Sequence, residues 1–229
     1  MDVKVIDQWD KAAKGYQEKQ ENSFFVKQNK EIVKKRFTNL NNQTVLDVGC
    51  GYGWYCNYFS SINAEVIGCD GSYSMLEIAR SIYPKLYFDQ VDLLKKLPYR
   101  DEQFDLIFCN QVLMDIESLQ PLIDEIMRIC KKEGIFYISI VHPAFYDASW
   151  QCDEHNFKYA KIMDKYLSEY DFDQNLWGET RHYHRTISTY LNTIIAAGFQ
   201  LVDLQEPSSY DGIEKTLEFP LFLFAEFKK

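Results

Sequence analysis

The segment VLDVGCGYGWY, residues 45–55, places three glycines within five residues directly after an apolar run. Such a turn at the end of a strand lets a ligand approach the backbone closely, because glycine has no Cβ. The same pattern also occurs where a strand simply passes into a helix through a tight turn. The spacing and the neighbours of the glycines are therefore needed to choose between these roles.

The neighbours argue against a phosphate-binding turn. Dinucleotide sites have the spacing GxGxxG, in which the third glycine leaves the helix N-terminus open to a pyrophosphate. Here that position is Trp54, and Tyr52 and Tyr55 crowd the same turn. No Lys-Ser/Thr pair follows as in a P-loop, and no Lys or Arg occurs between Arg36 and Arg80. The turn therefore indicates a ligand that carries no phosphate at this point.

The chain around the turn alternates between short apolar runs and amphipathic segments. This rhythm predicts a parallel sheet covered by helices on both faces. The helix over 119–130 is the clearest, and we expect it to end at KKEG with Gly134 as its stop. The predicted strands are 44–48, 65–69, 86–91, 104–110, 134–141, 199–204 and 221–227, and the other helices are 54–61, a segment opening at Ser72, and 186–197.

Two segments lie outside this rhythm. The apolar spacing in residues 6–37 predicts a helix with a break at Asn22–Ser23, and we assign 1–42 to an N-terminal helical cap. Residues 143–183 combine many aromatic side chains with acids and amides, which fits a substrate lid, a dimer surface or an inserted subdomain core. We expect a lid, and we treat 1–229 as one domain.

The turn and the segments after it form an ordered set of motifs. VLDVGCGYGWY resembles the first motif of the class I S-adenosylmethionine-dependent methyltransferases, and EVIGCDGSYSMLEIAR (65–80) resembles the second. QVDLLKKLPYRDEQFDLIFCNQVL (90–113) is similar to the third and fourth motifs. The resemblance is strong over 44–141 and looser over 184–206. It implies an α/β, Rossmann-like sheet of seven mostly parallel strands with helices on both faces, the last strand antiparallel, and the lid after strand five.

The resemblance also implies S-adenosyl-L-methionine as cofactor and S-adenosylhomocysteine as product. Asp70 ends the second strand, where a carboxylate can accept hydrogen bonds from both ribose hydroxyls, although it also fits a helix cap with Ser72. By the same resemblance Asp92 accepts from the adenine amino group and the Leu93 backbone contacts the ring. The remaining expected cofactor contacts are Asp47, Gly49, Cys50, Gly51, Gly71, Met75, Asn110, Gln111 and Tyr16, of which Tyr16 fits core packing equally well.

Methyl transfer from a sulfonium needs a general base only when the acceptor must lose a proton. Candidate bases are Asp115, beyond the fourth strand, and His142, at the carboxyl end of the fifth. His142 precedes Pro143 and also fits a hydrogen-bonded loop residue. Tyr146, His184 and Arg185 are expected acceptor contacts. The alternating histidines of HYHR (182–185) lack acid or Cys partners, so we predict no metal.

The composition limits the partners. A net charge of −9 and a pI near 5.0 oppose nucleic acid and anionic membranes, and no apolar stretch is long enough to span a bilayer. Six cysteines without a CxxC pair and a polar first segment indicate a cytoplasmic protein. We expect a monomer or a homodimer. The leading hypothesis is methylation of a small molecule at oxygen or nitrogen.

Three alternatives remain open at this stage. One is methylation of a macromolecule, although the NQVL sequence at strand four lacks the (N/D)PP(Y/F) pattern of amino-methylating enzymes. Another is a cofactor-binding accessory or regulatory protein without catalysis. The third is an NAD-linked dehydrogenase.

Overall fold

The structure is a computed structural model that describes residues 3–209 and 219–229. Helices and strands alternate over most of this length. The helices are α1 (Val3–Asn22), α2 (Phe24–Arg36), α3 (Trp54–Ser61), α4 (Tyr73–Ile82), α5 (Leu119–Ile129) and α6 (Ile187–Ala196), and a 3-10 turn covers Leu113–Asp115. The strands are β1 (Thr44–Val48), β2 (Glu65–Asp70), β3 (Tyr87–Gln90), β4 (Phe104–Asn110), β5 (Cys130–Val141), β6 (Ser149–Cys152), β7 (Lys158–Ile162), β8 (Tyr170–Gln174), β9 (Thr180–His184), β10 (Gln200–Gln205), β11 (Ser208–Ser209), β12 (Phe219–Pro220) and β13 (Phe222–Lys228).

Within the described residues, one sheet holds seven strands in the order β10-β13-β5-β4-β1-β2-β3. β1 runs parallel to β2 and β4, β2 to β3, and β4 to β5, whereas β13 is antiparallel to both β5 and β10. The predicted Rossmann-like sheet with an antiparallel last strand is confirmed. Because the strand order reverses at β1, the carboxyl ends of β1, β2 and β4 face one crevice.

Apolar side chains hold helices against both faces of this sheet. On one face α5 contributes Leu122, Ile123 and Ile126, which follow helical spacing and are fully buried. On the other face Phe59 of α3 and Leu76 of α4 are equally buried. Each such side chain stabilises the fold by about 1.5–3 kcal/mol. The two clusters therefore fix the helices that carry the rim of the crevice.

The junction of α5 and β5 differs from the expected helix end. The helix ends at Ile129, one residue earlier, and KKEG lies inside the strand. Glu133 has a φ of 64°, and the register with β4 shifts between Phe104 and Leu106. A Cβ on Gly134 would lie 2.8 Å from the Lys131 carbonyl oxygen. Gly134 thus serves a bulge at the strand entry, where the backbone passes too closely for a side chain.

The N-terminal region forms two helices with the predicted break at Asn22–Ser23. The Ser23 side chain caps α2 by accepting from the Val26 amide. A second break, which the sequence pattern does not predict, interrupts α1 at Lys14–Gly15, where Gly15 has a φ of 91°. This break redirects the chain just before Tyr16.

The region after β5 contains two antiparallel hairpins, β6–β7 and β8–β9. The β8–β9 hairpin packs on α1, since the Arg181 amide donates to Gln8 Oε1 at 3.1 Å and a Cβ on Gly178 would lie 2.9 Å from the Ala12 Cβ. That this region acts as a lid remains a prediction. Within residues 3–209 and 219–229, no helix combines the length and apolar character needed to cross a membrane.

Candidate functional site

Two adjoining cavities open at the carboxyl edge of the sheet. The small cavity encloses about 550 Å³ of empty space and the large cavity about 960 Å³, both including space open to solvent. The small cavity is lined by Ile6, Trp9, Tyr16, Gly49, Gly51, Asp70, Gly71, Ser72, Met75, Leu93, Asn110, Gln111, Val112 and Asp115. The two cavities share Trp9, Tyr16, Gly49, Gly51, Asn110, Gln111 and Asp115, and we call these residues the junction.

The glycine turn forms the floor of the junction. Gly49 has a φ of 69°, and a Cβ there would lie 2.3 Å from Val112 Cγ2. Gly51 has a φ of 52°, but a Cβ there would meet only the Tyr16 ring edge, at 3.9 Å. The first glycine therefore permits packing against the β4 end, and the second leaves space open under Tyr16.

Asp70 stands at the end of β2 beside the turn. Its carboxylate accepts from the Gly51 amide at 2.9 Å and from the Ser72 amide at 2.8 Å, and burial raises its pKa. Ser72 itself caps α4 by accepting from the Met75 amide. Both predicted roles of this region are thus compatible, because Asp70 faces the small cavity while Ser72 supplies the helix cap.

Asp47 lies under the turn and lines the large cavity together with Cys50. It is almost fully buried, its carboxylate accepts from the Cys56 thiol at 3.2 Å, and burial raises its pKa to about 7. Asp47 is therefore poised between its protonated and ionised forms at neutral pH. A cation in the cavity would favour the ionised form.

The far end of the small cavity is apolar, with Gly71, Met75 and Leu93 in its wall. Asp92 is adjacent in sequence but does not line either cavity; its carboxylate accepts from the Leu94 amide and pairs with Lys95. An adenine contact by Asp92 stays a prediction.

A buried hydroxyl organises the amides of the junction. Ser139 Oγ donates to Asn110 Oδ1 at 2.5 Å and accepts from Gln111 Nε2 at 3.0 Å. It also accepts from Asn29 Nδ2 of α2, at 3.4 Å, and Tyr55 donates to the oxygen of that amide. Gln111 has a φ of 58°, which turns the chain at the end of β4. Sequence reasoning did not identify Ser139 or Asn29, because nothing local marks them as partners of the junction.

Helix α1 closes the cavities from above. Tyr16 packs edge-on against Trp9 at 5.4 Å and against Trp177 of the β8–β9 turn at 5.7 Å between ring centroids. Asp10 Oδ1 accepts from the Ser72 hydroxyl and from the Ser74 amide, which ties α1 to the start of α4. The aromatic rings thus form a roof over the junction, and burial raises the pKa of Tyr16.

Asp115 meets a histidine that the sequence analysis did not place in the site. His182 Nε2 lies 3.1 Å from Asp115 Oδ1, and both side chains are buried. Asp115 Oδ1 and His182 Nδ1 make no hydrogen bond within the described part of the chain. Burial raises the pKa of Asp115 well above its usual range and lowers the pKa of His182 to about 4. The pair faces the large cavity, and Tyr146 stacks on the imidazole.

The other predicted polar residues lie away from the junction. His142 is buried, contacts Glu206 Oε1 at 2.7 Å and accepts from the Ala144 amide. His184 Nε2 bonds the Tyr166 carbonyl, and its ring stacks on Tyr170. These contacts occupy both ring nitrogens of His142 and Nε2 of His184.

Arg185 is likewise engaged with the backbone. Its guanidinium donates to the carbonyls of Ile116 and Glu117, at 2.7 and 2.6 Å. Together with His142 and His184 it lines a third, smaller cavity that adjoins the large one at Tyr146 and His182. The three residues therefore hold the site in shape, and direct acceptor contact by any of them stays a prediction.

The structure brings a cation to the glycine turn from elsewhere in the chain. Lys30 Nζ of α2 lies 4.1 Å from the centroid of the Trp54 ring and 3.4 Å from the Tyr52 hydroxyl oxygen. Burial lowers the pKa of Lys30 to about 8. The sequence near the turn contains no cation, so this neighbour could not be read from it.

Comparison with known proteins agrees with this geometry. The model of the family described as "Methyltransferase domain" matches residues 46–138. A crystal structure of an S-adenosylmethionine-dependent methyltransferase from Mesorhizobium loti superposes with a TM-score of 0.78 at 24% identity, covering 92% of this chain and 100% of that one. A Listeria monocytogenes protein assigned to the same class has a TM-score of 0.76 at 28% identity, covering 87% and 96%.

A curated relative gives a narrower match. The malonyl-[acyl-carrier protein] O-methyltransferase of Buchnera aphidicola is 28% identical over 117 residues, which cover 51% of this chain and 47% of the relative. The matched region thus spans about half of that enzyme. Residues 46–138 therefore match a methyltransferase domain, and the ordered motifs, the strand order and these similarities support a class I S-adenosylmethionine-dependent methyltransferase.

Proposed function

We propose that this protein transfers the methyl group of S-adenosylmethionine to an oxygen or nitrogen of a small-molecule acceptor. The observation that carries the proposal is the junction, where the small cavity beside Asp70 meets a larger cavity walled by aromatic rings. A methyl donor in the small cavity and an acceptor in the large cavity would meet over the glycine turn.

The residues of the small cavity fit the cofactor. Asp70 offers carboxylate oxygens to ribose hydroxyls, and Met75 and Leu93 provide an apolar seat for adenine. Asp47 and the open space over Gly51 suit the cationic methionine end. Tyr16, Asn110, Gln111, Gly49, Cys50 and Gly71 complete the set that would hold it, with Asp92 as the proposed adenine contact.

When bound, the cofactor would supply a methyl group on a sulfonium: an aligned nucleophile would attack the methyl carbon in line, the carbon–sulfur bond would break, and S-adenosylhomocysteine would leave as a neutral thioether. The chain's own residues hold the acceptor against the junction, and the roof of Trp9, Tyr16 and Trp177 excludes water. Binding geometry of this kind can supply most of the rate without covalent chemistry by the protein.

A protic acceptor must also lose its proton. Asp115 lines both cavities, and burial gives its carboxylate a higher proton affinity than that of an exposed acid. We assign the proton-accepting role to Asp115 rather than to His142, whose ring nitrogens are already bonded. His182, at 3.1 Å, positions the carboxyl group. The acceptor's proton would move to Asp115 as the new bond to the methyl carbon forms.

Two observations support a small acceptor, and a third bears on the receiving atom. The large cavity is enclosed by α1, α2 and the β8–β9 hairpin, which we propose acts as the lid through Trp177. The charge of −9 opposes nucleic acid. The Buchnera relative is an O-methyltransferase, which favours oxygen as the receiving atom. Macromolecular methylation and cofactor binding without catalysis are the competing outcomes.

The experiment has two stages. Isothermal titration with S-adenosylmethionine and S-adenosylhomocysteine measures cofactor binding, and NAD serves as the negative control. The protein is then incubated with methyl-labelled cofactor and separate small-molecule and macromolecular fractions of a cell extract. We expect micromolar cofactor affinity and label in the small-molecule fraction. Label in the macromolecular fraction, or binding without transfer to either, would overturn the proposal.

A further inference from the structure

The large cavity has a cationic end formed by Lys30 with the rings of Tyr52 and Trp54. Lys30 is the only lysine or arginine among the described residues that line this cavity. Its ammonium group lies over the Trp54 ring and donates to the Tyr52 hydroxyl. The arrangement leaves a half-buried positive charge beside an open, aromatic space.

This charge has no carboxylate partner at bonding distance within the described part of the chain. The carboxylate of Glu21 attracts the Lys30 ammonium group from farther away, whereas Lys34 and Lys27 repel it. Burial is the largest effect on Lys30 and lowers its pKa, so the protein does not compensate the desolvated ammonium. An anion bound here would supply that compensation, because an ion pair favours the charged form.

The position of this group separates it from the donor. Lys30, Tyr52 and Trp54 line the large cavity and are absent from the small one, and none of them belongs to the junction. Those proposed cofactor contacts that line a cavity lie in the small cavity, at the junction, or, for Asp47 and Cys50, in the large cavity, and they do not include Lys30, Tyr52 or Trp54. The cationic end is therefore placed for the other reactant.

The walls define the remaining chemistry. Phe25 and Tyr55 join Tyr52 and Trp54 at this part of the cavity, and flat rings pack best against aromatic faces. A carboxylate on such a ring would match the ammonium group at the end of the space. We propose that the methyl acceptor is an aromatic or heteroaromatic carboxylate whose anionic group binds Lys30.

This inference rests on the proposed function and names its substrate class. A carboxylate could also come from the methionine end of the cofactor, so the test must distinguish the two sources. Titrations use 4-hydroxybenzoate, indole-3-carboxylate and the neutral 4-hydroxybenzamide, each added to the protein saturated with S-adenosylhomocysteine. The variants are Lys30→Met, which removes the charge, and Lys30→Arg, which retains it.

Lys34→Met is the matched control. Lys34 lies on the same helix, 5.7 Å from the Trp54 ring centroid, but pairs with Glu31 and does not line the cavity. We expect Lys30→Met to weaken binding of an aromatic carboxylate at least tenfold, which is about 1.4 kcal/mol. Lys30→Arg and Lys34→Met should stay close to wild type, and 4-hydroxybenzamide should bind all variants alike.

Several results would overturn the inference. These are a failure of both carboxylates to bind the wild type, an equal loss for carboxylate and amide in Lys30→Met, and a loss confined to S-adenosylhomocysteine affinity. The last would assign Lys30 to the cofactor. If S-adenosylhomocysteine fails to bind the wild type at all, the proposed function itself fails, so the two failures are distinguishable.

Discussion

His182 Nε2 lies 3.1 Å from Asp115 Oδ1, at the place where the two cavities meet. The segment that follows β4 and the distant β8–β9 hairpin thereby meet at this point. Asp115 follows β4, whereas His182 lies on β9. The pair has a consequence for catalysis and another for stability.

Asp115→Asn should reduce turnover of the acceptor found in the extract by about 10²–10⁴-fold, the usual contribution of a general base. The amide retains the shape of the side chain but cannot accept the acceptor's proton. Titration should show S-adenosylhomocysteine affinity close to wild type. His182→Asn should instead shift the pH profile of kcat, because it acts through Asp115. Unchanged turnover in Asp115→Asn would show that the acceptor needs no base.

Burial of neutral His182 should make the fold sensitive to acid. Its folded pKa of about 4 lies below the ordinary 6.5, so the unfolded chain binds the proton more readily. Stability from this group is therefore present above pH 6.5 and lost as the pH falls toward 4, by about 3 kcal/mol.

Urea unfolding of His182→Phe measures this effect, since an aromatic ring can still pack between Tyr146 and Phe172. The variant should lose stability less steeply than wild type between pH 6.5 and 4. His155→Phe, at an exposed position, should keep the wild-type slope. Parallel slopes for all three proteins would contradict the assigned pKa.

Asp47→Asn should stabilise the free protein at alkaline pH and weaken cofactor binding. The folded pKa of Asp47 is about 7 against an ordinary value of 3.8, so stability falls as the pH rises between them, by about 4 kcal/mol. The melting temperature of the variant should exceed that of wild type at pH 8, and the difference should shrink toward pH 4. S-adenosylhomocysteine affinity should fall at least tenfold. A lower melting temperature at pH 8 would refute this account.

Asp70→Lys should abolish measurable cofactor binding while the fold persists. The ammonium group removes the acceptor for the ribose hydroxyls and for the Gly51 amide. Glu65→Lys, at the exposed start of the same strand, makes the same charge change away from the cavity and should bind normally. Circular dichroism checks the fold and titration checks affinity. Equal affinity in both variants would refute the role of Asp70.

The first two glycines of the turn, Gly49 and Gly51, should respond differently to alanine. Gly49→Ala places a Cβ 2.3 Å from Val112 Cγ2 at a φ of 69°, so unfolding free energy should fall by more than about 2 kcal/mol. Gly51→Ala meets nothing closer than 3.9 Å and should cost about 1 kcal/mol of strain. Its methyl group would nevertheless enter the space over the turn, and cofactor affinity should fall at least tenfold.

Two variants calibrate this comparison. Gly15→Ala has a φ of 91° with no atom within 4 Å, so it reports backbone strain alone. Val112→Ala combined with Gly49→Ala should restore part of the lost stability, because it removes the two methyl groups in the way. If the double variant is no more stable than Gly49→Ala, the contact with Val112 is not the cause.

Local sequence patterns were sufficient to predict the main strands of the sheet and the glycine turn. Strand and helix periods placed β1 to β5, and the glycines with Asp70 indicated a donor cavity beside a turn without phosphate. These features are readable because each depends on neighbours a few residues away: a strand's alternation, a helix's apolar stripe, a turn's φ. The bulge at Gly134 escaped prediction because close backbone packing decides it, as a Cβ there would lie 2.8 Å from the Lys131 carbonyl oxygen.

The residues proposed to face the methyl acceptor are brought together only by the tertiary structure. Lys30 and Asn29 reach the site from α2, and His182 comes from β9. Ser139 lies near the carboxyl end of β5 and becomes a shared hydrogen-bond partner only because Asn110, Gln111 and Asn29 converge on it. The sequence by itself determined the class of fold and the donor's turn, through short-range geometry. The folding of distant segments onto that turn decided which charges and rings face the acceptor, since such contacts join residues with no local relation in the chain.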